Sequence, residues 1–366
     1  HDPPKKDIAE VFSKFYDAGI QVKIITGDNA ATTQAIARSA GIHMPEACID
    51  GAHLMTLTEP TFTETIRGKS LLTRMFPEAK LATINALKKD NQIVAMVGDG
   101  VNDGPALKAA HIGIAMGQRG TEMAKSAAAL ILVNDDLALM VTAIATGRRI
   151  YANLKKAIQY IISIHIPIIL TVALPLLLGW IYPDMFTPVH VIFLELVMGP
   201  TCSIVFENEP MEKNTMQQPP RPLTQTFLNW RELGMSILQG LMITAGVMFM
   251  YRLTLWLGGD EERIRTNVFT TLIIANIFLT LVNRSFYFSC LTTLRYKNNL
   301  LYSIILITVV ILATMLCLDP VTRFFHLDHP TLADILRCTA TAAVSVLWFE
   351  GVKAWRRSHH EHSTQG

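Results

Sequence analysis

Charged residues are scarce in this chain. They make up 17% of its 366 residues, while 50% are hydrophobic and the mean hydropathy is +0.32. Soluble domains usually carry about 25% charged residues. So apolar a composition excludes an intrinsically disordered chain. Neither sign of charge dominates: 32 Lys+Arg face 30 Asp+Glu, a formal net charge of +2. That balance excludes a polyanion-seeking protein, and no nucleic-acid partner is expected. Cysteines number five and are scattered, none in a CxxC or CPC arrangement. This excludes a disulfide framework, a zinc ribbon and a thiolate metal site. The opening HDPPKKD is polar and has none of the apolar stretch of a signal peptide.

What is present is unevenly distributed. Residues 1–135 alternate short apolar runs with amphipathic ones. Ile8–Ala18 has helical spacing (Ile8, Val11, Phe12, Phe15), Val22–Ile25 is a β-branched-rich run, and Ala30–Ala40 is helical again. The order then repeats: Glu78–Leu87 helical, Ile93–Val97 a buried strand, Gly104–Ala110 helical, then strands at Ile112–Ala115 and Leu130–Val133. Strands alternating with helices predict a doubly wound parallel sheet, whose ligands sit at the carboxyl ends of the strands. Two acidic turns fall there: Thr26-Gly27-Asp28 and Gly98-Asp99-Gly100.

After a stalk at 136–156, residues 157–366 read as an all-α membrane domain. Six spans are expected, at about 157–179, 185–206, 233–258, 268–291, 300–318 and 331–351. The first has no charged residue and is long enough to cross about 30 Å of hydrocarbon. The second carries Glu195, the third Arg252 and the fourth Arg284; Arg284 is expected to snorkel or to pair with a carboxylate. Runs this long do not suit buried helices of a soluble core. Arg148, Arg149, Lys155 and Lys156 precede the first span, and Lys213, Arg221, Arg231, Arg295, Lys297, Lys353, Arg356 and Arg357 fall on the same side. The positive-inside rule places that side, with the soluble part and the C-terminus, in the cytoplasm, and the bilayer is expected to be the plasma (inner) membrane.

Gly98-Asp99-Gly100-Val101-Asn102-Asp103 carries the strongest chemical signal. Two carboxylates four apart, spaced by glycines after a buried strand, suit a hard oxygen-loving cation such as Mg²⁺. The bland reading is an Asp-Gly turn followed by a helix cap. Thr26-Gly27-Asp28 offers a hydroxyl and free N–H groups to phosphate oxygens, or simply an N-cap at Asp28. Lys80, just after Pro77, can stabilise charge on a transferring phosphoryl group, or is a solvated surface lysine.

Together DPPKK at 2–6, TGD at 26–28, the Pro77–Lys80 spacing and GDGVND at 98–103, followed by a helical membrane domain, resemble a P-type cation-transporting ATPase. Tyr151-Ala152-Asn153-Leu154-Lys155-Lys156 and Pro219-Pro220-Arg221 resemble its type II group, which includes calcium pumps. The resemblance implies the C-terminal part of a haloacid dehalogenase-like α/β domain, its doubly wound parallel sheet only partial, followed by membrane helices five to ten. It implies ATP and Mg²⁺ as cofactors. Asp99 would ligate Mg²⁺ with Asp103 beside it, Thr26, Gly27 and Asp28 would hold the phosphoryl group and Lys80 would contact it. Asn102 and Asp103 would order the site, and Asp2 would lie at the hinge to a nucleotide-binding domain. The family's DKTGT nucleophile motif, actuator, nucleotide-binding domain and first four helices have no counterpart in the 366 residues. The expected partners are therefore the bilayer, a transported cation and an N-terminal part of the pump. Two functions remain: the energised half of a pump, inactive alone, or an inactive fragment that binds or regulates a full-length pump.

The resemblance also implies a changed ion site. Calcium-pump ligands on helix five correspond to His165 and Ile168, those on helix six to Glu195, Met198 and Gly199, and one on helix eight to Phe286. Intramembrane polar groups default to function. Glu195, His165 and Thr201 are the transport-site candidates, with Ser203 and Glu207 nearby. Pro167 and Gly199-Pro200 interrupt two neighbouring spans and can free carbonyls for a cation.

Overall fold

The computed structural model describes residues 7–222, 224 and 226–363. They fall into two compact units. One runs to Arg148 and takes in the excursion that begins at Glu212; the other holds Arg149–Met211 and everything from Thr226 onward.

The first unit contains α1 (Ile8–Asp17), β1 (Ile24–Ile25), α2 (Ala30–Ser39), β2 (Cys48–Asp50), α3 (Gly51–Leu54), α4 (Thr61–Gly68), β3 (Leu71–Thr73), α5 (Pro77–Lys89), β4 (Ala95–Gly98), α6 (Gly104–Ala109), β5 (Ile112–Met116), α7 (Glu122–Ala127) and β6 (Leu130–Leu132). All strand pairs are parallel, as crossover helices require. They form two three-stranded sheets, in the orders β1-β3-β2 and β4-β5-β6. The doubly wound α/β architecture read from the sequence is present, split into these two sheets. β2 and β3 escape sequence reading because three residues are too few to show a period. β1 is shorter than Val22–Ile25: its ladder begins where the Ile24 and Thr26 N–H groups reach the Ser70 and Leu72 carbonyls, both at 2.9 Å.

α1 buries Val11, Phe12 and Phe15, the stripe its spacing predicts. It ends at Gly19, whose φ of +72° suits glycine; a Cβ there would lie 2.8 Å from Pro220 Cδ, in the excursion. Arg148 fastens the same excursion, donating from Nη1 to the Thr215 (3.0 Å) and Gln218 (2.8 Å) carbonyls and from Nη2 to the Ala18 carbonyl (2.7 Å). A core of Ile49, Leu72, Ile84, Met96, Leu107 and Ala115 spans both sheets. Lys23 is half-buried and caps the end of α4, donating to the Ile66 (2.8 Å), Arg67 (3.1 Å) and Lys69 (2.7 Å) carbonyls. Its burial lowers its pKa.

The second unit is helical. α8 (Ala138–Leu177) fuses the expected stalk and first span into one 40-residue helix with Pro167 and Pro175 inside it. α9 (Pro188–Pro200) follows, opened by a Thr187–His190 capping box and continued by a π-helical turn at Thr201–Val205. Then come α10 (Trp230–Trp256), α11 (Glu261–Val282), α12 (Cys290–Thr293), α13 (Asn299–Cys317), α14 (Asp319–Phe324) and α15 (Leu332–Ser363). Six of these helices are long and apolar enough to cross a membrane. The fourth is displaced from the expected 268–291. Asp260 caps its start, accepting from the Arg263 N–H, and it stops at Val282 with Asn283 as C-cap. Hydropathy carries the expected span on through Phe286, Tyr287 and Phe288, which lie beyond the helix. Several buried polar groups pair between helices, as lipid demands. Ser163 Oγ donates to the Ser236 carbonyl (3.1 Å) and meets Gln239 Oε1 (3.1 Å), while Gln239 Nε2 donates to Asn283 Oδ1 (3.0 Å).

Candidate functional site

The carboxyl ends of β1 and β4 meet a cavity of about 750 Å³. Thr26, Asp28 and Asp99 line it, together with Arg119 and Asp135, which sequence reading passed over. Thr26 Oγ1 donates to Asp28 Oδ2 (3.2 Å) and accepts the Asp28 N–H (3.1 Å), which makes the turn rigid. The cap of α2 is Asn29, one residue later than expected, accepting the Thr32 N–H at 3.0 Å. Asp28 is thereby left to the turn itself. Asp99 is exposed, and its carbonyl accepts the Thr121 N–H at 2.9 Å, which ties the turn after β4 to the start of α7.

Lys80 and Asp103 are found together away from this cavity wall. Lys80 Nζ lies 2.7 Å from Asp103 Oδ1, and both side chains are largely buried. Lys80 is not a solvated surface lysine. Gly98 makes room for this pair: a Cβ there would sit 2.7 Å from Asp103 Cβ. Asn102 is exposed on the short 3-10 turn Val101–Asp103. Asp2 lies outside the described residues. Among the described residues no group of three or more His, Cys, Asp or Glu could hold a metal. Mg²⁺ needs only one or two carboxylates, completed by phosphate and water. Asp99 fits that role, whereas Asp103 already has Lys80 as its partner.

Asp135 adopts φ +52° and accepts the Gln118 (3.0 Å) and Arg119 (2.9 Å) N–H groups. Partial burial pushes its carboxyl up, but those N–H groups, that of Gly117 and the Arg119 charge outweigh it and hold the pKa below its usual value. A depressed carboxyl stabilises the fold above its unfolded pKa, and that contribution disappears as pH falls through the folded value. Protection of the Gln118 and Arg119 amides, the observed exchange rate against the intrinsic one at the same pH, should therefore fall below the ordinary carboxylate range. An Asp135→Ala chain should already show the lower protection at neutral pH.

In the helical unit the structure joins two of the three transport candidates. His165 Nε2 on α8 lies 3.1 Å from Glu195 Oε1 on α9, and both side chains are nearly half exposed. His165 Nδ1 is 2.8 Å from the Ile161 carbonyl. Both ring nitrogens therefore face oxygen acceptors. Thr201 is buried and opens the π-helical turn. Met198 is buried and Gly199 exposed. Phe286 does not stand where a helix-eight ligand would, because α11 has already ended. The polar residue of α11 that faces α8 is Asn276, whose side chain bonds the Tyr160 hydroxyl. Glu207 is exposed; the buried carboxylate is Glu209, paired with Arg284. The charged run Glu207–Glu212 held that signal, and spacing alone could not say which member turns inward.

Residues 1–111 match the haloacid dehalogenase-like hydrolase family, and residues 183–355 match the family described as cation transporting ATPase, C-terminus. The chain belongs to the cation-transporting P-type ATPases. It matches the C-terminal part of their type II group. Calcium-transporting ATPase 1 of Lactococcus lactis is 34% identical over 285 residues, covering 78% of this chain and 32% of that protein. Calcium-transporting ATPase 1 of Schizosaccharomyces pombe is 28% identical over 365 residues, 98% of this chain and 40% of that protein. Calcium-transporting ATPase type 2C member 1 of Homo sapiens is 26% identical over 361 residues, 98% and 39% respectively. The chain thus spans about a third to two fifths of the length of these relatives. Such ATPases use ATP and Mg²⁺, and six membrane-length helices make this chain an integral membrane protein.

Proposed function

We propose that these residues are the C-terminal portion of an ATP-driven cation pump, combining part of its phosphoryl-handling site with the later half of its transport path. The observation that carries this reading is the convergence of Thr26, Asp28 and Asp99 on one cavity at the carboxyl ends of parallel strands. Mg²⁺, when bound, would neutralise charge developing on a transferring phosphoryl group. Asp99 would hold that ion. The Thr26 hydroxyl, now turned to Asp28, can redirect its hydrogen to a phosphoryl oxygen. Lys80 fixes Asp103 behind Gly98, which keeps the Gly98–Asp103 loop in shape, and Asn102 presents its amide at the exposed side. A covalent phosphoenzyme also needs an acceptor carboxylate, and DKTGT does not occur among these residues.

The relatives are named for calcium transport. In this chain a single central carboxylate, Glu195, lies 3.1 Å from His165. A dehydrated Ca²⁺ takes six to eight oxygens, so the site suits a single cation. We place the soluble unit and the C-terminus on the cytoplasmic side of the plasma membrane, on the excess of Lys and Arg in the loops of that side.

Acid-stable labelling with γ-labelled ATP tests the phosphoryl half. The isolated 366-residue chain should take up no label, while a full-length protein containing it should label in a Mg²⁺-dependent way. Labelling of the isolated chain would overturn the assignment of the acceptor to another segment. A full-length protein that never labels would favour the regulatory reading.

A further inference from the structure

A buried ion pair stands at the far end of α9, beyond the π-helical turn. Glu209 Oε1 accepts from Arg284 Nε (2.9 Å) and Nη2 (2.7 Å), and neither side chain has more than 1% exposure. Glu209 Oε2 accepts from Asn298 Nδ2 (2.9 Å), which also reaches the Val205 carbonyl (3.1 Å) inside the π-helical turn. The Glu209 main-chain carbonyl accepts from Asn153 Nδ2 on α8 (2.7 Å). Three other segments of the helical unit therefore hold this one residue.

The pair is a poor device for stability alone. Two charges have left water, and Arg284 Nη1 is buried without a partner. Apolar residues in place of such a pair are often as stable or more so, which points to specificity of geometry as the gain. The geometry concerned is rotational. A π-helical turn holds one more residue than an α-turn, and one residue corresponds to about 100° of rotation about the axis. Side-chain donors occupy carbonyls around this break: Ser203 on Gly199 (2.9 Å), Asn208 on Ile204 (2.9 Å) and Asn298 on Val205. If the turn relaxed to α while Glu209 stayed fixed, Glu195 would swing by about 100° and leave His165.

We propose that Glu209, Arg284 and Asn298 are positioning residues that set the rotational register of α9 through its π-helical turn, and so aim Glu195 at His165. This rests on the reading of Glu195 and His165 as a transport site. The test uses the full chain in lipid bilayers, labelled with ¹⁵N-histidine, with the His165 ring signals assigned by their loss in His165→Gln. Glu195→Gln should shift those signals, because the pair is broken. Asn298→Ala and Glu209→Gln, both remote in sequence from His165, should abolish the paired signal in the same way. Should Glu209→Gln fail to fold, Asn298→Ala decides alone, since it leaves no charge unpaired. Wild-type His165 signals in a folded Asn298→Ala chain overturn the proposal. If Glu195→Gln itself leaves His165 unmoved, the pair does not exist, and the transport reading fails together with the proposal. A shift in Glu195→Gln without one in Asn298→Ala removes only the positioning role.

Discussion

Asp99→Asn should lower phosphoenzyme formation by the full-length pump about a thousandfold, the scale on which loss of one preorganised charge-stabilising group acts. The substitution keeps shape and removes the charge a hard dication requires. Neighbouring carboxylates cannot readily take over. Asp28 is engaged by Thr26, Asp135 by two backbone N–H groups and Asp103 by Lys80. Asp103→Asn should be milder, about ten- to a hundredfold, because it loosens the loop that carries Asp99 instead of removing the ligand. Labelling from ATP at saturating Mg²⁺ measures both. Asp99→Asn activity within tenfold of wild type would reject Asp99 as the metal ligand. Equal losses in the two variants would give Asp103 a direct role.

Much of this molecule is legible in its amino-acid sequence. Period and length mark the helices α1, α2 and α5, and uncharged length marks the spans. Local chemistry marks the Asp99 and Thr26 turns, because a glycine-spaced acidic turn after a strand has few other uses. What stays hidden has three physical causes. Strands of three residues, such as Leu71–Thr73, carry no readable period, so the order β1-β3-β2 cannot be drawn from them. Span ends are misplaced where apolar residues continue past a helix, as at Phe286–Phe288, since hydropathy records solvent preference and not hydrogen bonding. Long-range pairs leave no local trace. Glu209 and Arg284 are 75 positions apart; Arg284 within an apolar run calls for a carboxylate or an interface, but nothing local names Glu209 as its partner. The Lys80–Asp103 pair is of the same kind: the motifs assign each residue its own role, and only the fold shows that they act on each other.

Glu195→Gln is expected to weaken cation activation of the full-length ATPase at least about tenfold while leaving phosphorylation from inorganic phosphate intact. The magnitude follows from losing one charge-assisted interaction, worth roughly 1.5–3 kcal/mol. The separation of effects follows from the placement of Glu195 on a membrane-length helix and of Thr26 and Asp99 in the other unit. His165 sharpens the test. It lies 3.1 Å from Glu195, so a cation that takes the carboxylate must displace the imidazole from it. His165→Gln removes the imidazole but keeps Glu195. It should retain cation activation, because the carboxylate still supplies the charge. The double variant should look like Glu195→Gln alone. Activation measured in the three variants separates the ligand from its neighbour. Unchanged ion dependence in Glu195→Gln would place the carboxylate that binds the ion on a helix outside these residues. A loss of cation activation in His165→Gln as large as that in Glu195→Gln would make the imidazole a ligand in its own right.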